Sequence, residues 1–148
     1  MKRLNIVYLV LWILFFSMLS FAQRTSEWES LVSPTNETLR KLYFVDKNNG
    51  WAVSLGGKII NTIDAGETWH IQNSTVTTPI VDIFFINPNR GWALTYPSEP
   101  PFGTSILKTT NGGLGWIKDS VFFENEIFTT ICFLDENTGF VGGKGVKK

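Results

Sequence analysis

The chain has 148 residues, enough for one domain, and 43% hydrophobic with 18% charged residues excludes a disordered polymer. Formal net charge is zero; losing Lys2 and Arg3 with the N-terminus leaves 11 basic against 13 acidic residues, or −2, and neither value suits a nucleic-acid surface. A single cysteine, Cys132, excludes an internal disulfide, and a single histidine, His70, excludes a Cys/His metal cluster.

Residues 1–22 read as a secretory signal. Lys2 and Arg3 form the basic end, Ile6 to Phe16 is almost purely apolar, and Ser20-Phe21-Ala22 offers small residues at the two inspected positions, placing the cut before Gln23. The expected location is therefore exported: periplasmic, cell-surface or extracellular. The competing reading is an uncleaved membrane anchor, but Ile6 to Ala22 is short for spanning a bilayer and is weakened by Ser17 and Ser20.

From 23 to 148 the pattern is short apolar runs cut by turn residues, which predicts strands and no helix. Trp28-Glu29-Ser30 reads as an outer strand. Leu42–Asp46, Trp51–Ser54, Lys58–Thr62 and Trp69–Asn73 then read as four successive strands. Ile80–Ile86, Trp92–Tyr96, Ser105–Thr109 and Trp116–Asp119 repeat them. Phe128–Leu134 and Phe140–Gly142 begin a third unit, with no third strand expected. Asn87-Pro88-Asn89-Arg90-Gly91 and Asp135-Glu136-Asn137-Thr138-Gly139 carry turn chemistry.

The repeat is legible in the aromatics. Trp28, Trp69 and Trp116 recur in phase. So do Gly50-Trp51, Gly91-Trp92 and Gly139-Phe140, and a third set is Phe44, Phe85 and Phe133. A period of roughly 40–50 residues built from short strands is that of a propeller blade. The units run about 28–68, 69–115 and a shortened 116–148.

Each unit also carries a turn phrase. Thr62-Ile63-Asp64-Ala65-Gly66-Glu67-Thr68-Trp69 has the form T-x-D-x-G-x-T-W, and Thr109-Thr110-Asn111-Gly112-Gly113-Leu114-Gly115-Trp116 is a looser copy with Asn111 for the Asp. The carboxylate or amide oxygen of such a turn accepts backbone N–H groups, and Gly takes the positive φ. Thr62, Asp64, Gly66, Thr68 and Trp69, with Thr109, Asn111, Gly113 and Trp116, are read as structural residues on that ground.

These phrases resemble the Asp-box, or bacterial-neuraminidase-type, repeat. With Phe44-Val45-Asp46-Lys47-Asn48-Asn49-Gly50-Trp51-Ala52-Val53 ahead of the first box, residues 28–143 look most like the photosystem II assembly and stability factor type of repeat. The resemblance implies an all-β fold of four-stranded antiparallel blades, here an incomplete, open propeller of about two and a half repeats. Two full blades do not close a ring, so the expectation is a fragment of a longer protein, a truncated product, or a chain that assembles with further blades. The resemblance further implies a non-catalytic scaffold that binds a protein or cell-surface partner, without cofactor, metal or nucleic acid, and touching a membrane only through an uncleaved signal.

The alternative is a truncated piece of a sialidase-like glycoside hydrolase. That chemistry needs an arginine cluster and a Tyr–Glu nucleophile pair, whereas Arg24, Arg40 and Arg90 are scattered and Tyr43 and Tyr96 have no repeat-defined Glu partner. No catalytic residue is assigned. His70 reads as a surface or packing residue and Cys132 as a small buried hydrophobe. One stretch departs from the repeat: the second unit is six residues longer between its Trp residues, through Tyr96–Thr104. Tyr96, Glu99 and Phe102 are the candidate contacts of a binding loop there; a tolerated, proline-stiffened insertion is the competing reading.

Overall fold

The computed structural model describes residues 28–97 and 99–148; the signal assigned to residues 1–22 lies outside them. The chain divides into Met1–Ser30 and Leu31–Lys148. Trp28–Ser30, the described end of the first part, has no regular structure, and Trp28 is fully exposed. The outer strand expected there is therefore absent.

Among its described residues the second part is all-β, with eleven strands in three antiparallel sheets. The first sheet is β1 (Leu39–Phe44), β2 (Gly50–Ser54), β3 (Ile59–Thr62) and β4 (His70–Gln72), paired in chain order. The second is β5 (Ile80–Asn87), β6 (Arg90–Thr95), β7 (Gly103–Thr109) and β8 (Ile117–Glu124), paired likewise. The third is β9 (Phe128–Phe133), β10 (Gly139–Gly143) and β11 (Val146–Lys147), so its third strand does exist, as a two-residue pairing of Val141 and Gly142 with Lys147 and Val146.

The sheets stack face to face and bury two cores. Trp51, Val53 and Ile59 of the first sheet meet Ile83, Phe85, Ala93, Leu107 and Trp116. Trp92, Leu94 and Ile106 of the second meet Phe128, Ile131 and Val141 of the third. The alternation of strand side chains produces this: in β6, Ala93 faces back to the first sheet while Trp92 and Leu94 face forward to the third. That is why the β6 run is buried on both sides.

The recurring Phe and Gly-Trp are three parts of one device. Phe44, Phe85 and Phe133 sit directly across the strand pair from Gly50, Gly91 and Gly139. Each ring lies over its glycine, where a Cβ would fall 2.7, 2.5 and 2.5 Å from the nearest ring carbon. The following tryptophan then stacks on the next sheet's phenylalanine: Trp51 on Phe85 at 3.6 Å and 12°, Trp92 on Phe133 at 3.7 Å and 9°.

The longer second unit divides its extra length evenly. The β2–β3 connection spans 55–58 and the β6–β7 connection 96–102, three residues longer, while β7 is seven residues against four for β3. β8 follows β7 outward to Glu124, five residues beyond the Asp119 expected, because Gly103–Ser105 pair with Phe122–Glu124. Cys132 is exposed, against the expectation of burial. It lies beside Phe140 in the β9–β10 pairing, on the side of the third sheet turned from the second, where Ile131 and Val141 are the buried neighbours.

Candidate binding surface

The T-x-D-x-G-x-T-W turn joins β3 to β4. Thr62 is fully buried at the strand end; its hydroxyl donates to Asp64 Oδ1 (2.6 Å) and accepts the Gly66 N–H (2.9 Å). Asp64 Oδ1 also accepts the Thr68 N–H at 2.9 Å, and Oδ2 accepts the Thr68 hydroxyl at 2.6 Å. Ala65 and Gly66 both take positive φ, 64° and 96°. The two threonine hydroxyls and the Thr68 N–H hold the Asp64 carboxyl down at about 2.

The copy at β7–β8 works with one oxygen fewer. Asn111 Oδ1 accepts from the Thr109 hydroxyl and the Gly115 N–H, both at 2.9 Å, and Thr109 Oγ1 accepts the Gly113 N–H at 2.9 Å. Gly115 replaces the second threonine, so no hydroxyl returns to the Asn111 side chain. Both oxygens of Asp64 are engaged by local donors, two on Oδ1 and one on Oδ2, which is the structural, turn-tying use of that carboxylate.

The second of these turns is also joined to the first sheet. Trp51 Nε1 donates to the Gly112 carbonyl at 3.2 Å, and Gln72 Nε2 donates to the same carbonyl at 2.8 Å. Trp116 Nε1 donates to Gln72 Oε1 at 3.3 Å. Gln72 leaves no room for a side chain at Gly113, whose Cβ would fall 1.9 Å from Gln72 Oε1. Sequence reasoning missed Gln72; a polar side chain at the end of a short outer strand gave no signal of its partner 40 residues on.

A second link ties the inner strands. Asp82 of β5 is 3% exposed. Its Oδ1 accepts the Ile83 N–H at 3.0 Å and lies 3.3 Å from the Lys41 ammonium in β1; its Oδ2 accepts the Ile131 N–H of β9 at 2.8 Å. One carboxylate thus touches all three sheets. Tyr43 adds a bond from its hydroxyl to the Phe85 carbonyl at 2.9 Å, and burial pushes its phenol up from the ordinary value.

The candidate loop lies at the opposite end of the second sheet from the box turn. Tyr96 is half-buried against the second core, with its N–H donating to the Pro79 carbonyl at 3.4 Å. Glu99 is exposed, and Phe102 is 51% exposed. The Phe102 carbonyl accepts the Asn125 N–H at 2.9 Å, tying the loop to the β8–β9 connection. Tyr96 thus anchors one end of the loop in the core, while the Glu99 carboxylate and the Phe102 ring face solvent. Among the described residues no group of three or more His, Cys, Asp or Glu side chains is placed to hold a metal, and no helix is long and apolar enough to cross a membrane.

No protein-family profile matches the chain. Over 42 residues it is 36% identical to the photosystem II assembly protein Ycf48 of Thermosynechococcus vestitus (strain NIES-2133 / IAM M-273 / BP-1), a match covering 28% of this chain and 12% of that protein. Among solved structures it is similar to "YCF48 bound to D1 peptide", with TM-score 0.64 and 24% identity over 81% of this chain and 38% of that one. It is equally similar to "YCF48 from Cyanidioschyzon merolae", with TM-score 0.64 and 20% identity over 77% of this chain and 37% of that one. The chain spans less than two-fifths of either solved relative. Those relatives are β-propellers, so the three sheets are propeller blades in an unclosed set, and the assembly-factor-type resemblance read from the repeats is borne out.

Proposed function

We propose that this chain is an exported, non-catalytic propeller scaffold that holds a protein partner through the Tyr96–Phe102 end of its second blade. The observation that carries this is the likeness to a propeller whose solved form holds a peptide, described as D1. Support comes from the loop itself, which puts Phe102 and Glu99 in solvent on a frame fixed by two cores. The basic end and apolar run of residues 1–22 support export.

The glycoside-hydrolase reading has little beside it. Arg90 is ion-paired with Glu136 at 2.5 Å at the start of β6, Arg40 lies in β1, and Arg24 is outside the described residues. Among the described residues, then, no arginine triad is assembled for a substrate carboxylate.

The test is fluorescence anisotropy of the full chain with a labelled D1 peptide and its scrambled control. Selective binding of the first is expected, weakened about tenfold or more in Phe102→Ala, about 1.4 kcal/mol, with no change in thermal midpoint. Equal binding of both peptides, or Phe102→Ala binding like wild type, sinks the proposal. Recovery of a product beginning at Gln23 outside the cytoplasm checks the export half.

A further inference from the structure

The chain holds two Asn-Gly pairs, Asn49-Gly50 and Asn111-Gly112. Such a pair is the peptide sequence most open to self-attack. Glycine has no Cβ to keep its nitrogen from the asparagine side chain, and its backbone turns readily to the angle of attack. The fold treats the two pairs differently.

Asn49 is held on every side. It is half-buried, and its amide nitrogen donates to both Asp46 oxygens, at 3.0 and 2.9 Å. Its neighbour Gly50 is buried in β2, paired with Phe44 on one side and Thr62 on the other. The leaving amide and the attacking nitrogen are both fixed by the first sheet.

Asn111 is exposed, in the turn between β7 and β8. Its Oδ1 accepts from the Thr109 hydroxyl and the Gly115 N–H, but among the described residues its Nδ2 makes no hydrogen bond. What restrains reaction here is the hold on Gly112. Its N–H donates to the Asn89 carbonyl at 2.8 Å. Its carbonyl accepts from Trp51 and Gln72 of the first sheet. Those last two restraints cross the junction between the first and second sheets, so they last only while that junction is closed.

We propose that Asn111 is a site of water-driven self-modification that the closed junction holds off, and whose isoaspartyl product then keeps the junction from closing again. When the junction opens, base takes the Gly112 amide proton and the nitrogen attacks Asn111 Cγ. The N–Cγ bond forms, the Cγ–Nδ2 bond breaks, and ammonia leaves with a proton from solvent. Water then opens the cyclic imide. Attack at Cγ gives aspartate; attack at the main-chain carbonyl of residue 111 gives isoaspartate. The sum is asparagine plus water going to acid plus ammonia, with nothing oxidised or reduced.

The two products differ in effect. Aspartate leaves the turn in the form that Asp64 already shows, with Oδ1 taking a threonine hydroxyl and a backbone N–H. Isoaspartate routes the main chain through Cβ and adds an atom between Thr110 and Gly112. The neighbouring Gly113 lies too close to Gln72 for even a Cβ to enter, so the extra length is not absorbed there. The Gly112 carbonyl is displaced from the Trp51 and Gln72 donors instead.

The test incubates the full chain in mildly alkaline heavy-oxygen water and maps the label by peptide mass spectrometry. Isoaspartate is scored with a methyltransferase selective for it. Label is expected at 111 and not at 49 in the folded chain, and at both in denaturant. Gln72→Ala removes the shorter of the two cross-junction bonds to Gly112. It should speed labelling at 111 about three- to tenfold, the extra opening that one lost hydrogen bond allows, with 49 still unlabelled. In the isoaspartyl fraction the Trp51 indole N–H should exchange faster than in an Asn111→Asp chain, which carries the same charge and should match wild type. Equal labelling of 49 and 111 in the folded chain, an unchanged rate in Gln72→Ala, a rise that reaches 49 in step with 111, or an isoaspartyl fraction that exchanges like Asn111→Asp overturns the proposal. Peptide binding at the Phe102 loop enters none of these readouts.

Discussion

The indole of Trp51 lies flat on the ring of Phe85, centroids 3.6 Å apart, although the two residues belong to different sheets. Both are 1% exposed. Truncation here removes a large apolar area and the indole's bond to the Gly112 carbonyl. Trp51→Ala is expected to cost about 3–5 kcal/mol, a large share of what holds a domain of this size. Trp51→Phe should cost clearly less, since Phe140 occupies the equivalent place naturally. Denaturant unfolding with a common slope for the three proteins checks the order; equal midpoints for Trp51→Ala and wild type would refute the stacking as a source of stability.

The glycine beneath each phenylalanine makes a sharper prediction. A Cβ at Gly91 would sit 2.5 Å from two ring carbons of Phe85 and 2.6 Å from a third, and that ring is itself pinned by Trp51 and Trp116. Gly91→Ala should therefore destabilise by about 1–3 kcal/mol through overpacking. At Gly115 the nearest atom is 3.5 Å away, and at Gly145 nothing lies within 4 Å. Alanine at those two positions should leave the melting temperature nearly unchanged.

How much of this was legible beforehand depends on whether the signal is local. Box geometry follows from residues two to four apart, and the strand pattern from alternation, so β2, β3, β5 and β6 fell close to where they were read. The phase of Phe44, Phe85 and Phe133 was visible, but not that each ring covers a glycine, nor that Phe85 and Phe133 receive the preceding sheet's tryptophan. Gln72 and Asp82 were invisible because their partners are 40 and 49 residues away. Cys132 was misread because an apolar-looking strand does not say which of its sides meets another sheet. Trp28 was misread as well: the repeat phase names a strand at 28–30, and the backbone there forms none. The loop at 96–102 stood out in the sequence as extra length, yet half of that length went into β7, where pairing with β8 absorbs it.

Asp82 provides a test of the inner link. Its carboxylate is buried and serves Lys41, the Ile83 N–H and the Ile131 N–H together. Asp82→Ala strands the Ile131 N–H in a dry junction, at about 1–3 kcal/mol. Hydrogen exchange should register this at Ile131 first, and the third sheet should open before the first two. Uniform exchange across all three sheets would show that the link is not local to β9.

Ala65 is the one residue of the box turn at odds with its backbone. Its φ is 64°, whereas the corresponding place in the second turn is held by Gly112 at 70°. A left-handed alanine costs about 1 kcal/mol, and glycine's extra freedom in the unfolded chain returns part of that. Ala65→Gly should therefore stabilise by a few tenths of a kcal/mol up to about 1 kcal/mol, read as a rise in midpoint at constant slope. Ala65→Val should lower it.

The same turn sets a pH dependence. The folded-state pKa of Asp64 is depressed to about 2 by the Thr62 and Thr68 hydroxyls and the Thr68 N–H, below the ordinary 3.8. A depressed carboxyl stabilises fully above its unfolded pKa and loses that contribution as pH falls through the folded one. The turn's contribution should be constant from neutral pH to about 5, then decline between about 4 and 2. Asp46 and Asp135 are also lowered, chiefly by the backbone N–H groups of Asn49 and Asn137 respectively, so the global acid transition will be shared. Asp64→Asn isolates the local part: Asn111 shows that an amide oxygen keeps the central bonds, and the variant cannot titrate. It should lie modestly below wild type at pH 7 and converge with it near pH 2. A gap that stays constant over that range would mean that the Asp64 charge contributes nothing to holding the turn.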